Sequence, residues 1–513
     1  MSPASPLCSR GVTVARSLGS SAARGVVVTL AGQGSRVVIQ LVGVIVLARI
    51  LAPADFGLLA MVIVVVGFGE LLRDFGLSSA AIQSRELTTP QRANLFWINT
   101  VLGAVLTVIL FLTAPLIADF YGHAELELIA QALAPVFLIN GLSTQFRAHL
   151  TRDLLFGRLA VSDVVAQAAA LAIALVAALA GAGYGALVLQ QLAQAVIALV
   201  LLVIVTPWWP GLPRRTGGMS PLLRFGGALF GSQIVTYISR NVDTLVISLR
   251  FGPSALGAYD RAFQMLMMPL NQLNAPATRV ALPVLSRLRD DPRRFTEFLL
   301  TAQTILLIPV VAIFSFAAAT GPALVALLLG PQWEQTGVLF QILAIGGVFQ
   351  AANYATYWVF LARGKAGSLL RYSLVSRPVF IVIVLLGAIG DLYTLAGAYA
   401  AGLAYLWIFG LVWSARSAGA PARRMAWNGV RTILAYGFAG VITWGAGELY
   451  FSGLPLGLNL VASFAVMVVA SAGIAFSIPR LRRDLLALLR VPALVRGRGG
   501  GAATVDAETA GVE

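Results

Sequence analysis

Long apolar segments separated by short polar links run through almost the whole chain. A helix that crosses a membrane needs about 20 mainly apolar residues. The uncharged run from Val164 to Pro213 is too long for one such helix, and Gly181-Ala-Gly-Tyr-Gly185 predicts a turn inside it. The predicted segments are 24–49, 57–82, 93–118, 126–147, 159–181, 184–206, 224–249, 255–285, 297–327, 335–361, 367–389, 392–415, 430–449 and 456–478. The pattern therefore predicts an all-α polytopic membrane protein with about fourteen transmembrane helices.

The composition agrees with this pattern and narrows the chemistry. The chain is 58% hydrophobic and 11% charged, whereas a soluble domain is about a quarter charged. One cysteine, Cys8, excludes a disulfide framework, and the two histidines, His123 and His149, lie near predicted loops. We therefore expect no metal site and no cofactor, apart from a possible coupling H⁺ or Na⁺.

The distribution of charge predicts the topology. The 36 basic residues, all but one of them arginine, fall mostly in the links that lie on one side of the predicted membrane. Short cytoplasmic loops carry such an excess of arginine and lysine. We therefore expect both termini in the cytoplasm. The net charge of +15 then reflects topology, so nucleic acid is not an expected partner.

The first helices of the chain recur after two hundred residues. Pro53 and Gly57 recur as Pro253 and Gly257, each between a first and a second helix. Each predicted repeat has six helices, and an even number of crossings returns the chain to the side of the membrane where it began. The two repeats therefore have the same orientation, which predicts two parallel, pseudo-symmetric lobes. The predicted parts are an N-terminal tail (1–23), an N-lobe of helices 1–6 (24–206), a cytoplasmic linker (207–223), a C-lobe of helices 7–12 (224–415), helices 13–14 (416–479) and a cytoplasmic tail (480–513).

Charged residues inside the apolar segments are the candidate site. Each charge near the centre of a bilayer costs roughly 2.5–3.5 kcal/mol, so such residues usually face protein or a water-filled cavity. The candidates for binding a phosphate or diphosphate are Arg36, Arg73, Arg240, Arg261 and Arg377; the candidate coupling or pairing acids are Glu70, Asp74, Asp243 and Asp260; the polar cavity candidates are Gln33, Gln40, Gln233, Tyr237 and Asn353. Arginine suits phosphate oxygens because its planar guanidinium donates two parallel hydrogen bonds.

A second interpretation of these charges is structural. Glu70–Arg73, Arg240–Asp243 and Asp260–Arg261 are spaced so that they could be internal ion pairs that lock helices together. Arg36 and Arg377 have no acid within four residues on their own helices, which favours substrate binding for those two. For the three pairs both interpretations stay open. The functional interpretation places the arginines in a cavity between the two lobes.

Two stretches resemble a known family. Leu47-Ala-Arg-Ile-Leu-Ala-Pro-Ala-Asp-Phe-Gly-Leu-Leu-Ala60 with Phe75-Gly-Leu-Ser-Ser-Ala-Ala-Ile-Gln83, and then Ala281-Leu-Pro-Val-Leu-Ser-Arg-Leu-Arg-Asp-Asp-Pro-Arg-Arg-Phe295, resemble bacterial oligosaccharide flippases of the Wzx/WzxC type. These belong to the multidrug/oligosaccharidyl-lipid/polysaccharide exporter superfamily. The resemblance covers roughly residues 24–420.

The resemblance implies a V-shaped pair of six-helix lobes that works by alternating access. It implies a substrate, a polyprenyl-diphosphate-linked oligosaccharide, moved from the cytoplasmic to the periplasmic leaflet for exopolysaccharide, capsule or O-antigen assembly. Membrane lipids, a polysaccharide polymerase and export machinery are the implied partners. Flippases of lipid-linked precursors use cavity arginines on the first helices of each lobe, and Arg36, Arg73, Arg240 and Arg261 are of similar type here.

Two other functions fit an all-helical membrane protein. A cation-coupled multidrug exporter of the same superfamily would need an acid-rich, aromatic cavity, whereas arginines here match or outnumber acids. A polysaccharide polymerase or ligase would need a large outward loop with catalytic residues, and the predicted links are short. We therefore expect a transporter and not an enzyme.

Overall fold

The computed structural model describes residues 32–75, 88–214 and 219–483, and within these ranges the regular structure is entirely helical. The helices are α1 (Gly32–Ile50), α2 (Pro53–Asp74), α3 (Thr89–Tyr121), α4 (Glu125–Leu133), α5 (Pro135–Arg152), α6 (Phe156–Leu179), α7 (Tyr184–Val205), α8 (Met219–Arg287), α9 (Pro292–Leu328), α10 (Glu334–Ala362), α11 (Ala366–Gly387), α12 (Leu392–Ala418), α13 (Ala422–Ala446) and α14 (Leu456–Ser477). The all-α prediction is confirmed.

Eleven of the described helices are long and apolar enough to cross a membrane, with α4 and α5 together forming one span, Glu125–Arg152. The protein is therefore a multi-pass membrane protein. The predicted segments 224–249, 255–285 and 430–449 are not among the eleven, although they are largely helical in α8 and α13. The count of fourteen thus stays a prediction.

Several predicted regions fall outside the described residues. These are the N-terminal tail 1–23, residues 24–31 at the start of the first predicted segment, residues 76–82 at the end of the second, part of the predicted linker (215–218), and 484–513 of the C-terminal tail.

The chain divides into two compact units, Met1–Asp260 (unit 1) and Arg261–Glu513 (unit 2). In unit 1, α3 packs along α5 and α6 along α7. The buried face of α6 is a ladder of small residues at every fourth position, Ala166, Ala170, Ala174 and Ala178. Small side chains let neighbouring helix backbones approach closely, which is how helices associate where the hydrophobic effect is weak. The predicted lobe boundaries stay predictions.

The sequence repeat has a structural counterpart within unit 1. The helix breaks at Ala52, before α2, where the backbone is extended (φ −78°, ψ 155°). Two hundred residues later α8 breaks at Gly252, whose φ of 79° lies in the left-handed region that favours glycine. Pro53 and Pro253 each follow the break, a position that proline favours because its missing N–H has no helical partner there.

The two corners formed by these breaks touch each other reciprocally. A Cβ atom on Gly57 would overlap the carbonyl oxygen of Pro253, and a Cβ atom on Gly257 would overlap the carbonyl oxygen of Pro53. Both contacts are made by backbone, which cannot move aside as a flexible side chain can. The Pro-x-x-x-Gly pattern seen twice in the sequence therefore forms a corner contact (Pro53/Gly57 with Pro253/Gly257) that requires glycine at both positions.

Further along the same two helices, α8 lies against α2. The Tyr237 hydroxyl donates a hydrogen bond to the backbone carbonyl of Val64 at 2.7 Å, and its ring lies 6.1 Å from that of Phe68. A hydrogen bond between helices is favourable in this setting because neither group has water as an alternative partner. Tyr237 thus links α8 to α2.

In unit 2, α9 packs on α10 and α13, and α12 packs on α10 and α11. Large aromatic side chains fill the interior, with Phe314, Trp333, Trp358 and Phe380 almost completely buried. The Trp358 indole N–H donates to the Thr278 hydroxyl at 2.8 Å, as buried tryptophans usually find a partner for that group.

Candidate functional site

Arg36 lies in unit 1 opposite an acid that belongs to another helix. Its Nη1 is 3.1 Å from Oδ2 of Asp163 on α6. Arg147 on α5 contacts the same carboxylate, with Nη1 3.1 Å from Oδ2 and Nη2 2.8 Å from Oδ1. We name these three residues the arginine triad. Three helices, α1, α5 and α6, therefore meet at one carboxylate.

The arginine triad has an uncompensated positive charge. Two guanidinium groups share one carboxylate, so the formal charge of the three side chains is +1. The side chain of Asp163 is 11% exposed, whereas those of Arg36 and Arg147 are 51% and 42% exposed. Each guanidinium has five N–H groups, so several donors on the two arginines remain available on their open side. Such donors match the oxygens of a phosphate group.

The triad lies inside the helices and not in their connecting loop. Asp163 is seven residues beyond the first residue of α6, Phe156, which corresponds to about 10 Å along the helix axis. Gln167, one turn further along α6, donates to the backbone carbonyl of Arg36 at 3.2 Å and so fixes α1 against α6. The position of Arg36 is therefore set by packing as well as by charge.

Arg73 has a different environment. It is buried, and its Nε donates to Glu70 at 2.8 Å while its Nη1 donates to the Thr144 hydroxyl at 2.7 Å. Asn140 donates to the other Glu70 oxygen at 2.9 Å. These contacts tie α2 to α5, so they support the structural interpretation of the Glu70–Arg73 pair.

Arg240 does not form the ion pair that its spacing allowed. Asp243 is buried and accepts a hydrogen bond from the Tyr259 hydroxyl at 2.8 Å. Arg240 is exposed, and its side chain makes no ion pair or hydrogen bond with the described residues. The structural alternative for Arg240–Asp243 is therefore not what the fold adopts.

The remaining candidates are spread over both units. Gln33 and Gln40 on α1 and Gln233 on α8 are exposed, while Asp74 and Asp260 are half-buried. In unit 2, Arg261 and Arg377 are half-buried, and Asn353 on α10 faces Gly410 of α12. Within unit 1 the structure brings Arg36 to a charged cluster formed by two other helices. Among the described residues no group of three or more histidines, cysteines or acids could hold a metal ion.

The sequence alone does not identify Arg147 as a member of the site, and it indicates Asp163 only as a possible coupling acid or an interfacial residue at the start of a helix. Arg147 falls at the edge of a predicted segment, where an arginine is ordinary. Asp163 is 127 residues from Arg36 along the chain. A contact over that distance leaves no local spacing pattern, and it becomes visible only once the helices are packed.

The sequence matches a known family and several curated proteins. A model of the family described as polysaccharide biosynthesis protein matches residues 46–337, more than half of the chain. Lipopolysaccharide biosynthesis protein WzxC of Escherichia coli (strain K12) is 26% identical over 71% of this chain and 74% of its own. Teichuronic acid biosynthesis protein TuaB of Bacillus subtilis (strain 168) is 27% identical over 65% of this chain and 70% of its own. Succinoglycan biosynthesis transport protein ExoT of Rhizobium meliloti (strain 1021) is 28% identical over 60% and 62%.

Solved structures of transporters share the fold. The lipid II flippase MurJ in an inward closed conformation superposes with a TM-score of 0.70 at 12% identity, over 90% of this chain and all of the other. An inward-facing multidrug resistance transporter of the MATE family and MOP superfamily superposes with a TM-score of 0.59 at 14% identity, over 77% and 94%. The predicted exporter fold is confirmed by these two structures.

Proposed function

This chain belongs to the polysaccharide biosynthesis protein family, and from that premise we propose that it is a flippase for a lipid-linked oligosaccharide. It is a membrane transport protein and not an enzyme, in agreement with the name of its relative ExoT, a succinoglycan biosynthesis transport protein. The proposed substrate is a polyprenyl-diphosphate-linked oligosaccharide. It moves from the cytoplasmic to the periplasmic leaflet of a bacterial inner membrane by alternating access, and both termini of the chain are cytoplasmic.

Three of the relatives are named for different surface polymers, lipopolysaccharide, teichuronic acid and succinoglycan. Related transporters that handle such different sugars can share a binding site only for a part of the substrate that does not vary. The diphosphate that joins sugar to lipid is such a feature. Polymerase and export machinery would then receive the translocated product.

The arginine triad is the observation that carries the proposal. The diphosphate is proposed to take the place of Asp163 between Arg36 and Arg147. Replacing one anion by another leaves both guanidinium groups hydrogen-bonded throughout, so neither has to be desolvated without a partner. Binding of this kind is reversible at low cost, as transport requires.

The place of the triad suits the cytoplasmic end of the route. By the predicted topology, the link between α5 and α6 is cytoplasmic, and the triad lies just inside it. Arg240, exposed within an apolar stretch of α8, is a second proposed contact, because an arginine there favours water or an anion over hydrocarbon. Arg73 is assigned to the fold, on the contacts with Glu70 and Thr144 described above.

A second candidate function is export of cationic compounds driven by an ion gradient. The observation that favours it is Asp243, a buried acid bonded to Tyr259 that could exchange a proton. In a flippase the same acid would serve as the coupling group for H⁺ or Na⁺. Resistance of cells to ethidium-like dyes, dependent on Asp243, would favour the drug exporter.

Translocation of a fluorescent diphosphate-linked oligosaccharide lipid in proteoliposomes tests the proposal. Wild type is compared with Arg36→Gln and Arg147→Gln, each checked for folding. The matched control is Arg293→Gln, which removes one arginine from an exposed ion pair with Glu297 (87% and 64% exposed) of little energetic value. We expect transport by wild type and by the control, and a loss of tenfold or more in the triad variants, which is about 1.4 kcal/mol of binding free energy.

Two results would count against the proposal in different ways. No transport by folded wild type, with or without an ion gradient, would overturn the function itself. Equal transport by wild type and both triad variants would leave the function and remove the triad from the binding site.

A further inference from the structure

A cationic cavity in unit 2 has no part in the proposed transport step. It has a volume of about 570 Å³ and lies between the first halves of α9 and α13. The lining residues are Leu300, Thr301, Thr304, Arg423, Arg424, Trp427, Asn428 and Arg431. Three of them are arginines and none is an acid. We name it the α13 cavity.

Neutral groups hold one of these arginines in place. Nη2 of Arg431 donates to Oδ1 of Asn428 at 2.9 Å. Asn428 is buried and donates in turn to the Thr304 hydroxyl at 2.9 Å and to the Gln303 side chain at 3.2 Å. A neutral amide fixes the guanidinium and leaves its charge in place, whereas a carboxylate would neutralise that charge. Asn428 therefore fixes the orientation of Arg431 in the lining of the cavity.

The other two arginines occupy positions that do not stabilise their helix. Arg423 and Arg424 lie in the first turn of α13, where a positive charge opposes the helix dipole. Both are exposed, and neither side chain makes an ion pair or hydrogen bond with the described residues. An excess of arginine in a cytoplasmic link is expected from the topology and does not by itself indicate a ligand. Three charges around one formed cavity point to an anionic ligand.

Apart from Arg431, the face of α13 that begins at the cavity is apolar and exposed. Trp427, Leu434 and Phe438 are 61%, 66% and 60% exposed. Together with Arg431 they occupy positions 427, 431, 434 and 438, the spacing of one helix face. Tryptophan is enriched at the level of the lipid headgroups. A ligand on this face would therefore meet cations at one end and hydrocarbon-compatible side chains at the other.

We propose that the α13 cavity binds the headgroup phosphate of an anionic glycerophospholipid from the surrounding bilayer, with an acyl chain along Leu434 and Phe438. Basic pockets between transmembrane helices on the cytoplasmic side recognise such headgroups. The lipid joins α9 to α13. Because α13 lies beyond the region 46–337 that the family model matches, this gives the added helices a role in a lipid-dependent fold.

Binding of a defined lipid to the full-length protein in neutral detergent tests this proposal. The probe is palmitoyl-oleoyl phosphatidylglycerol, with the phosphatidylcholine of the same chains as the uncharged comparison, measured by native mass spectrometry and by the shift in melting temperature. Wild type should bind phosphatidylglycerol and rise in melting temperature with its concentration, since a ligand of the native state stabilises it. Arg423→Gln/Arg424→Gln should weaken binding roughly fivefold for each arginine removed.

A matched control removes the same amount of charge from the same part of another helix. Arg293→Gln/Arg294→Gln also removes two exposed arginines from the first turn of a helix, α9, but outside the cavity. It should bind as wild type does. Equal losses in the two double variants, or equal binding of the two lipids by wild type, would overturn the proposal. Displacement of phosphatidylglycerol from wild type by a polyprenyl diphosphate would overturn it too, since the cavity would then belong to the transport substrate.

Discussion

At the scale of single residues, one carboxylate shared by two arginines differs from a closed ion pair. In the Glu70–Arg73 pair, charges cancel and hydrogen bonds to Asn140 and Thr144 complete the shell. In the arginine triad, Asp163 neutralises one positive charge of two. Asp163 is therefore an internal competitor for any anion that approaches Arg36 and Arg147.

The substitution Asp163→Asn tests that competition. Asparagine keeps the shape and removes the negative charge, so a diphosphate no longer has to displace an anion. We expect a short polyprenyl diphosphate to bind about tenfold more tightly, or ~1.4 kcal/mol, measured by titration calorimetry on the purified protein. Asp290→Asn is the control, because Asp290 is 87% exposed and pairs only with its neighbour Arg289 in the described contacts. Unchanged affinity with reduced stability would make Asp163 a structural residue.

A double-mutant cycle on Glu70 and Arg73 tests the structural assignment of that pair. Arg73→Met leaves Glu70 with one donor fewer at a largely buried site and should destabilise the protein by about 1–3 kcal/mol. Adding Glu70→Gln should recover part of this, with a coupling free energy of about 0.5–3 kcal/mol. Chemical unfolding in detergent measures both. The structural assignment would be wrong if the two substitutions had additive effects on the free energy of unfolding and a folded Arg73→Met variant lost diphosphate binding. Arg73 would then be a substrate-binding residue.

Local spacing predicted some of these contacts and not others. Glu70–Arg73 and Arg240–Asp243 have the same spacing of three, yet only the first pair forms. Asp243 points to Tyr259 in the interior while Arg240 stays exposed. Arg36 could be identified as a candidate from the sequence, since a charge in an apolar segment raises the free energy of membrane insertion whichever way its side chain points. Its partners could not, because they depend on how α1, α5 and α6 pack.

At the scale of helices, the corner contact predicts that Gly57 and Gly257 cannot be replaced by larger residues without loss of stability. Gly57→Ala would place a methyl group on the carbonyl oxygen of Pro253, and separating two backbones costs about 1–3 kcal/mol or more. Gly34→Ala on α1 is the control, because a Cβ atom there meets nothing within 4 Å. We expect a lower melting temperature for Gly57→Ala only. Equal melting temperatures would mean that the corner is not closed in the membrane.

The sequence predicted where these helices break but not that the breaks meet. Pro53 and Gly57 marked a corner, and their recurrence at Pro253 and Gly257 marked an equivalent one, which Gly252 confirms with its left-handed backbone. Turn residues carry that information locally. The approach of the two corners depends on the arrangement of whole helices, which spacing within one segment does not encode.

At the scale of the whole molecule, the apolar pattern and the family resemblance predicted the class of fold. An apolar stretch long enough to span a bilayer has to be helical, because its backbone groups find no water to bond. The count of fourteen helices stays a prediction, because three predicted segments are not apolar enough to be recognised as spans. Segments that carry Arg240 and Asp243, or Arg431, combine a helical pattern with charges that lower their apolar character.

The orientation of the chain can be tested with its single cysteine removed. In a Cys8→Ser background, Ala124→Cys lies between α3 and α4 and Arg289→Cys between α8 and α9, and both positions are exposed. If both termini are cytoplasmic, a membrane-impermeant maleimide should label position 124 in intact spheroplasts and position 289 only after the membrane is opened. The reverse pattern would invert the topology and place the arginine triad at the periplasmic end.

The corner contact also has the form of an isologous interface, in which one patch touches a second and the second touches the first, as in a two-fold symmetric dimer. In a true homodimer a single mutation appears in both copies and alters both contacts at once. Here the copies are fused, and Gly57 and Gly257 are inherited separately. One contact can therefore be weakened while its counterpart stays intact, so this corner can become asymmetric in a way that the interface of a homodimer cannot.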